Sequence, residues 1–242
     1  MVAPCEHLLW DSEFFGRRIA RVKANRANSR NMKSILAWCE ANKIECLYLL
    51  ADSGDGETSR LAQSEAFRLV DVRMTFHLRI SEVTEYTGSA SGLEIRPFRM
   101  DDFGQLRPIV RSSHRGSRFY SDGGFDKTRC DDLYETWLER SCQGWADRVF
   151  VADAGSGPIG YCSCHLGSEG TGRIGLIGVS GAHTKKGYGR QLTGAAISFL
   201  ASQGMRRVEV VTQGSNCEAQ RMYQACGFRT ELVQLWFHRW FV

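Results

Sequence analysis

The stretch HTKKGYGR, at residues 183–190, has residue types and spacing that could bind phosphate. Gly187 and Gly189 stand one residue apart, two lysines precede them and an arginine follows them. Because a predicted helix starts here, a phosphate would meet unpaired main-chain N–H groups and the positive end of the helix dipole. The stretch therefore predicts a phosphate-binding turn. The alternative is a helix that simply begins at flexible glycine residues, with its basic side chains in solvent and no ligand.

Two common nucleotide-binding motifs do not fit this turn. A Walker A loop requires G-x-x-x-x-G-K-[ST], and counting from Gly181 puts Lys186 where the second glycine must stand. A Rossmann fingerprint requires G-x-G-x-x-G, and counting from Gly187 puts Leu192 at the third glycine. Both the Walker A loop and the Rossmann fingerprint are therefore excluded, and the positions of the glycines alone do not identify the ligand.

A second stretch, NCEAQRMYQACGF at residues 216–228, reads as a helix with one apolar face. Asn216 suits a helix N-cap, and Gly227 suits the residue that ends the helix. The residues spaced at i, i+3, i+4 and i+7 are Ala219, Met222, Tyr223 and Cys226. Because Tyr223 lies on this apolar stripe, the helix alone favours a core tyrosine over a catalytic one.

The two stretches together resemble the GNAT superfamily of acyl-CoA-dependent N-acetyltransferases. The family's strand-ending valine and its [QR]-x-x-G-x-[GA] pattern match Val179, Gly187 and Gly189 in register. Thr184 stands at the position of the family's arginine or glutamine, and Lys185 stands where a further glycine is frequent. The family's N-x-x-A-x-x-x-Y-x-x-x-G-F pattern matches the second stretch at every position.

This resemblance implies that a substrate amine attacks acetyl-CoA directly, through a tetrahedral intermediate. It implies that a main-chain N–H of the strand GLIGVS holds the thioester carbonyl, and that Tyr223 protonates the departing thiolate. No metal is implied. The residues that it assigns to acetyl-CoA are Ile177, Gly178, Val179, Lys185, Lys186, Gly187, Tyr188, Gly189, Arg190 and Asn216.

Two further stretches resemble the nucleotide-sugar branch of that family, the TDP-fucosamine acetyltransferases and their relatives. They are HLLWDSEFFGRRIARV at residues 7–22 and SRFYSDGGFDKTRCDDLYETWLERS at residues 117–141. The resemblance implies that the acceptor is the amino group of a nucleotide-linked amino-dideoxy sugar. Arg118 is a candidate for contact with its diphosphate and Tyr120 for stacking, with a surface loop as the alternative for both.

Other functions stay open at this point. A different small amine, such as an aminoglycoside, a polyamine or an amino acid, would use the same donor, and a non-catalytic acyl-CoA-binding module would keep the same turn. The base that deprotonates the amine is also open. His165, Glu169 and His114 are candidates, a water chain would serve as well, and each of these side chains has a structural role as its alternative.

The elements that must position these residues alternate in the manner of an α/β protein. Strands are predicted over residues 17–24, 45–52, 68–80, 93–98, 172–180, 206–213 and 231–240, with two more within 148–167. Helices are predicted over residues 30–43, 56–67, 100–114, 125–142, 189–204 and 216–228. The order from residue 93 onward is that of the GNAT fold, a mixed and mostly antiparallel central sheet flanked by helices.

A polar, glycine- and serine-rich segment at residues 81–92 predicts a domain boundary. We expect a smaller N-terminal α/β, GNAT-like half at residues 1–81, a linker at 82–92 and a catalytic GNAT domain at 93–242. This division accounts for a chain of 242 residues, which is long for one domain and short for two large ones.

Composition narrows the class of protein. A hydrophobic content of 43% and a net charge of +4, without a long basic run, are typical of a globular protein that does not bind nucleic acid. No apolar stretch reaches the ~20 residues of a membrane span, and no secretory signal is recognisable. The nine cysteines therefore predict free thiols in the cytoplasm, with Cys162 and Cys164 buried and not ligating zinc. A homodimer is left open.

Overall fold

The structure, a computed structural model, describes residues 3–82 and 93–241. The strands of this part of the chain are Cys5–His7 (β1), Ile19–Val22 (β2), Cys46–Asp52 (β3), Arg68–Arg79 (β4), Glu94–Pro97 (β5), Arg148–Asp153 (β6), Pro158–Leu166 (β7), Thr171–Val179 (β8), Arg207–Gln213 (β9) and Arg229–Trp240 (β10). The helices are Leu9–Phe15 (α1), Ser29–Ala41 (α2), Gly56–Ser64 (α3), Phe103–Ser113 (α4), Arg118–Asp122 (α5), Lys127–Arg140 (α6), Tyr188–Ser202 (α7) and Cys217–Ala225 (α8). Every predicted strand and helix is present.

All ten strands join one mixed sheet in the order β1-β2-β3-β10-β4-β9-β8-β7-β6-β5. The pairs β2–β3 and β8–β9 are parallel, and the remaining pairs are antiparallel. The predicted mixed, mostly antiparallel sheet is therefore confirmed. The last strand, β10, lies between β3 and β4, because Leu235 pairs with Ala51 on one side and with Val72 on the other. The two segments that flank residues 82–92 thus share a single sheet.

The predicted linker falls almost entirely on residues 83–92, which lie outside the described residues. The boundaries at 81 and 93 therefore remain a prediction. What the structure adds is the connectivity, in which the C-terminal strand completes the part of the sheet that the N-terminal segment begins.

Three elements were not predicted, because each is too short to show a periodic pattern. They are β1, α1 and α5. Both short helices end at a glycine in the left-handed conformation, Gly16 after α1 (φ 63°) and Gly123 after α5 (φ 75°). The segment SRFYSD, for which a surface loop was one expectation, is in fact the helix α5.

Helices cover both faces of the sheet. One face carries α2, α3, α7 and α8, over a core that includes Phe76, Leu192 and Tyr223. The other face carries α1, α4, α5 and α6, over a core that includes Tyr48 and Tyr161. No disulfide joins the nine cysteines, which all lie in the described residues, and seven of them are buried, as the sequence predicted for the Cys162–Cys164 pair. Among the described helices, none combines the length and the apolar character that crossing a membrane requires.

The sheet opens between β8 and β9. Their parallel pairing ends at Ile174 and Val210; beyond this point, in the described part of the chain, β8 pairs only with β7 and β9 only with β4. A bulge marks the place, since Gly175 and Leu176 together oppose Ser163, whose Oγ accepts the Leu176 N–H at 2.8 Å. We call this opening the β8–β9 gap. It leaves one edge of residues 175–179 without a neighbouring strand.

Candidate active site

The predicted phosphate turn follows β8 and leads directly into α7. A short 3-10 turn, Gly181–His183, comes first, and Gly187 is the N-cap of α7. Gly187 (φ 82°) and Lys185 (φ 61°) are both in the left-handed region. Left-handed residues among right-handed ones point successive N–H groups toward one side, which is the geometry of an anion-binding concavity. The turn has the backbone shape that its sequence predicts.

The main-chain N–H groups of this turn are unpaired. The first N–H of α7 to find a helical acceptor is that of Gln191, which donates to the Gly187 carbonyl at 3.1 Å. For the N–H groups of residues 185–190, no acceptor occurs within residues 3–82 and 93–241. The turn is also largely exposed. It therefore offers an anion up to six N–H donors at the positive end of a 15-residue helix.

The residues at which the turn departs from the family pattern, Thr184 and Lys185, make contacts of their own. Thr184 closes the 3-10 turn, because its Oγ1 donates to the Gly181 carbonyl at 3.1 Å. Lys185 Nζ lies 3.5 Å from Glu218 on α8. A methyl group added to Gly189 would lie 2.7 Å from the Met222 Sδ atom. Gly189 thus packs directly against Met222, and this contact between α7 and α8 brings the two sequence motifs together.

Asn216 has a structural role that accounts for its residue type. Its side chain accepts the Ala219 N–H at 3.1 Å and caps α8, as the sequence predicted. The side-chain oxygen is therefore occupied by the helix. Contact of Asn216 with a cofactor remains a prediction.

Tyr223 is buried on the inner face of α8. Its ring lies 6.1 Å from that of Phe76 and 5.7 Å from that of Phe228. Burial raises the pKa of Tyr223 well above its usual value, and the neighbouring Cys162 and Cys226 thiols add to the increase. The phenol therefore keeps its proton at physiological pH. The core position and the proton-donor role are compatible, since a donor must be protonated.

The segment Ile177, Gly178 and Val179 forms the edge of the β8–β9 gap nearest to Tyr223. Ile177 pairs with Cys162, the β7 residue whose thiol adds to the pKa shift of Tyr223. Main-chain groups on the free edge of this segment have no strand partner in the described chain. Because unpaired N–H groups in such a gap need an acceptor, this edge can hold a carbonyl oxygen or an oxyanion.

The opposite face of the sheet places a histidine–tyrosine pair beside Gly178. A methyl group on Gly178 would lie 2.8 Å from the Tyr161 hydroxyl and 2.7 Å from the Ser113 Oγ. His114 Nε2 lies 2.8 Å from the same hydroxyl, and its ring stacks on Tyr134 at 4.6 Å. Burial lowers the pKa of His114 to about 4, so its imidazole is neutral at pH 7. Neither Tyr161 nor Ser113 was predicted, since Tyr161 lies in a largely apolar strand and Ser113 at the end of an amphipathic helix, and no motif marks either residue.

The other two candidate bases lie in different places. The His165 ring borders the bulge, with Nε2 2.6 Å from a methyl group added to Gly175, and burial lowers its pKa. The Trp145 ring lies 5.3 Å from it. Glu169 lies in the β7–β8 turn, six or more residues of strand away from Ile177, which is roughly 20 Å. The structure therefore brings His114 and His165 toward the gap and leaves Glu169 at the far end of β8.

Arg118 packs into a buried aromatic cluster. Its guanidinium lies 4.2 Å from the Tyr48 ring and 4.4 Å from the Trp236 ring, and its Nη1 donates to His238 Nε2 at 2.8 Å. His238 Nδ1 in turn donates to Asp122 at 2.8 Å. Because Nδ1 carries the proton and Nε2 accepts, the tautomer of His238 is fixed, and its Nε2 holds the Arg118 guanidinium in place.

The same cluster resembles a metal site by distance, since ligand atoms of Cys46, Asp122 and His238 lie within 4.8 Å of one another. Both ring nitrogens of His238 are already engaged, one by Arg118 and one by Asp122. The donor set therefore fits a hydrogen-bonded core and not a cation. Tyr120, the other substrate candidate of this segment, donates its hydroxyl to Asp131 on α6.

Comparisons with known proteins agree with this geometry. Residues 109–228 match the acetyltransferase (GNAT) family. The chain is 26% identical over 240 residues to a dTDP-fucosamine acetyltransferase of Escherichia coli O6:H1, covering 98% of each chain. It is 22% identical over 241 residues to the spore coat polysaccharide biosynthesis protein SpsD of Bacillus subtilis, covering 97% of this chain and 82% of that one.

A solved structure shares the fold. A GCN5-related N-acetyltransferase from Sphaerobacter thermophilus superposes with a TM-score of 0.69 at 14% identity, over 98% of this chain and 76% of that one. The unpaired turn before α7, the β8–β9 gap and the buried tyrosine of α8 all lie within or beside the segment that matches the family. The chain therefore contains, at residues 109–228, a domain of the GNAT family of acyl-CoA-dependent N-acetyltransferases.

Proposed function

We propose that this enzyme transfers an acetyl group from acetyl-CoA to the amino group of a nucleotide-linked amino-dideoxy sugar. The observation that carries the proposal is the similarity to the dTDP-fucosamine acetyltransferase, which extends over 98% of the chain. It therefore includes about a hundred N-terminal residues outside the family match at 109–228. Those residues contribute β4, which pairs with β9 at one side of the gap in the sheet.

Two features of the structure support binding of acetyl-CoA. The unpaired N–H groups of residues 185–190 bind the pyrophosphate of the coenzyme, with Lys186 and Arg190 adding positive charge. The acetyl thioester lies in the β8–β9 gap, where the main-chain N–H of Ile177 or Val179 holds its carbonyl oxygen, since the N–H groups of Leu176 and Ser180 donate to β7 and directions alternate along the strand.

The reaction follows from these positions. The neutral amine attacks the thioester carbon, and the negative charge that develops on the oxygen is stabilised by the strand N–H. When the tetrahedral intermediate collapses, the C–S bond breaks and the departing thiolate takes the phenol proton of Tyr223. The raised pKa of Tyr223 keeps that proton available at physiological pH.

The amine must lose a proton before or during the attack. His114 and His165 are both neutral at pH 7, since burial lowers the pKa of each imidazole. Only the neutral form can act as a base. His114 reaches the gap through the Tyr161 hydroxyl, which lies beside Gly178. A base with a pKa of about 4 holds a proton only briefly, so the proton passes on to solvent.

A mass-shift screen tests the proposal. The enzyme is incubated with acetyl-CoA and panels of TDP- and UDP-linked amino sugars, unlinked amino sugars, aminoglycosides, polyamines and amino acids. We expect an acetylated product from a nucleotide-linked amino sugar and none from the unlinked amines. Turnover of an unlinked amine with no nucleotide-sugar product contradicts the proposed acceptor, and acetyl-CoA binding without turnover of any amine supports a non-catalytic module instead.

A further inference from the structure

Part of the sheet face that carries α4 and α5 is not covered by any described element. Val211, the first residue of β9 beyond its pairing with β8, still pairs with Thr75 of β4 and is 37% exposed. Leu232 on β10 is likewise 41% exposed, and the two residues flank Thr75 of β4 in register. Interior strands are exposed only where no helix packs on them. We call this uncovered area, floored by β9 and β4, the open face.

Two arginines stand on the open face. Arg73 of β4 pairs with Gln213 of β9, and Arg173 of β8 pairs with Glu209 of β9. Because Glu209 and Gln213 are four residues apart on one strand, their side chains point to the same face. Arg73 and Arg173 therefore project from the same side of the sheet, on either side of β9.

Arg73 is held in place without a carboxylate partner. Its Nη1 donates to the Gln234 Oε1 at 3.0 Å, and Gln234 is itself buried and within 3.4 Å of Asp52. Neither Arg73 nor Arg173 forms an ion pair with a described residue. Partial burial lowers the pKa of Arg73, and the charge of Arg173 lowers it further, so the two cations are within electrostatic range of each other.

The acidic side chain closest to this pair in register is Glu209, which partly offsets their charge. It also lies 3.5 Å from the guanidinium of Arg207. Arg96 shows the opposite arrangement, since its guanidinium lies 2.7 Å from both Asp102 and Asp153. Arg73 is positioned and half-buried, Arg173 is exposed, and neither guanidinium forms an ion pair with Glu209 or another described carboxylate, so the pair favours binding of an external anion.

The register also relates the arginines to the reacting atoms. Counting on from the Ile174–Val210 pair, with the bulge at Gly175 and Leu176 taking up one extra residue, puts Ile177 near the level of Thr212 and Gln213, and Gln213 pairs with Arg73. Arg73 is therefore two strands away from the proposed thioester position, which is about 10 Å before the widening of the gap is added. That distance leaves room for one sugar ring between the reacting amine and the arginines.

We propose that Arg73 and Arg173 form the subsite for the diphosphate of the acceptor, on the open face and separate from the coenzyme turn at residues 185–190. The inference rests on the proposed nucleotide-sugar function. On this proposal, Arg73 and Arg173 are the residues that select nucleotide-linked over unlinked sugars. Arg118, whose guanidinium is hydrogen-bonded to His238, then has a structural role on the same side of the sheet.

Steady-state kinetics with the nucleotide-linked substrate test the subsite. We expect Arg73→Gln and Arg173→Gln each to raise KM for that substrate by roughly 10- to 100-fold, since each removes charge-assisted hydrogen bonds, while kcat and the KM for acetyl-CoA stay within about threefold. Arg73→Lys should recover part of the loss. Arg79→Gln is the matched control, because Arg79 lies on the same strand but pairs with Glu82 at its far end, and its KM should be that of the wild type.

Binding of TDP, measured by calorimetry with saturating CoA present, separates this subsite from the coenzyme turn and from the proposed function. We expect the wild type to bind TDP and the Arg73→Gln/Arg173→Gln double variant to lose most of that affinity, with circular dichroism melting confirming that it folds. If no nucleotide sugar is acetylated but TDP binding depends on both arginines, the subsite stands and the proposed acceptor fails. A wild type that does not bind TDP, or equal affinities in the wild type and the double variant, overturns the subsite.

Discussion

The turn at residues 185–190 and the open face are two basic regions for which we propose anion binding by different means. The turn uses main-chain N–H groups from one continuous stretch, and its lysines lie in solvent. The open face uses the side chains of Arg73 and Arg173, which are 100 residues apart in sequence and are held by strand pairing. A main-chain site depends on backbone conformation and tolerates changes of side chain. A side-chain site depends on two residues and on the sheet that aligns them.

The largest effect is expected from a residue that belongs to neither region. Tyr223→Phe should lower kcat by a factor on the order of 10²–10⁴ while the affinities for acetyl-CoA and TDP stay unchanged, because only the proton donor is lost. Stopped-assay kinetics and calorimetry measure the two quantities. In the wild type the raised pKa of Tyr223 predicts no loss of kcat from its ionisation up to about pH 10. Wild-type turnover in Tyr223→Phe would remove the assignment.

The next largest effect is expected when the backbone conformation of the turn is disturbed. Gly187→Val places a β-branched residue at φ 82°, which costs about 1–2 kcal/mol, so we expect acetyl-CoA affinity to fall by roughly 5- to 30-fold. TDP affinity should not change. Gly181→Ala is the matched control, since Gly181 is in the same turn, is not in the left-handed region and has open space around it. Equal losses in both variants would mean that backbone shape is not what the turn contributes.

Low pH should weaken the core that α5 covers. Burial lowers the pKa of His238 to about 4, and Arg118 beside it opposes a second positive charge. Below about pH 6.5 the unfolded chain binds this proton before the folded one does, so stability is lost as the pH falls toward 4. Urea denaturation should give a free energy of unfolding lower by about 1–3 kcal/mol at pH 4 than at pH 7 from this residue. An identical pH dependence in His238→Gln would contradict the assignment.

The smallest effect is expected from a charged residue of the turn. Lys185 adopts φ 61°, where glycine has no steric penalty, and its ion pair with Glu218 is exposed. Lys185→Gly should therefore raise the free energy of unfolding by no more than about 1 kcal/mol and change acetyl-CoA affinity by less than about threefold. Chemical denaturation and calorimetry give both values. A tenfold loss of affinity would show that the turn depends on its side chains, as the open face does.

Much of the fold was predictable because its signals are local. Helix α8 shows its N-cap Asn216, its apolar stripe and its terminal Gly227 within thirteen residues, and the predicted helix is present. The turn before α7 was equally visible, since two glycines and a following helix define it. The short α5 was missed, because five residues show no period and its role depends on Tyr48 and Trp236, far away in sequence.

The sequence by itself determined the glycine turn before α7, the capped helix that carries Tyr223, and the order of strands and helices, since each is encoded in adjacent residues. Only the tertiary structure decided that β10 lies between β3 and β4, that β8 and β9 separate after Ile174, and that His114 meets Tyr161. These depend on pairing between distant segments, where many registers satisfy the same local pattern and burial of the whole core selects one. The open face, with Arg73 and Arg173 on either side of β9, exists for that reason alone.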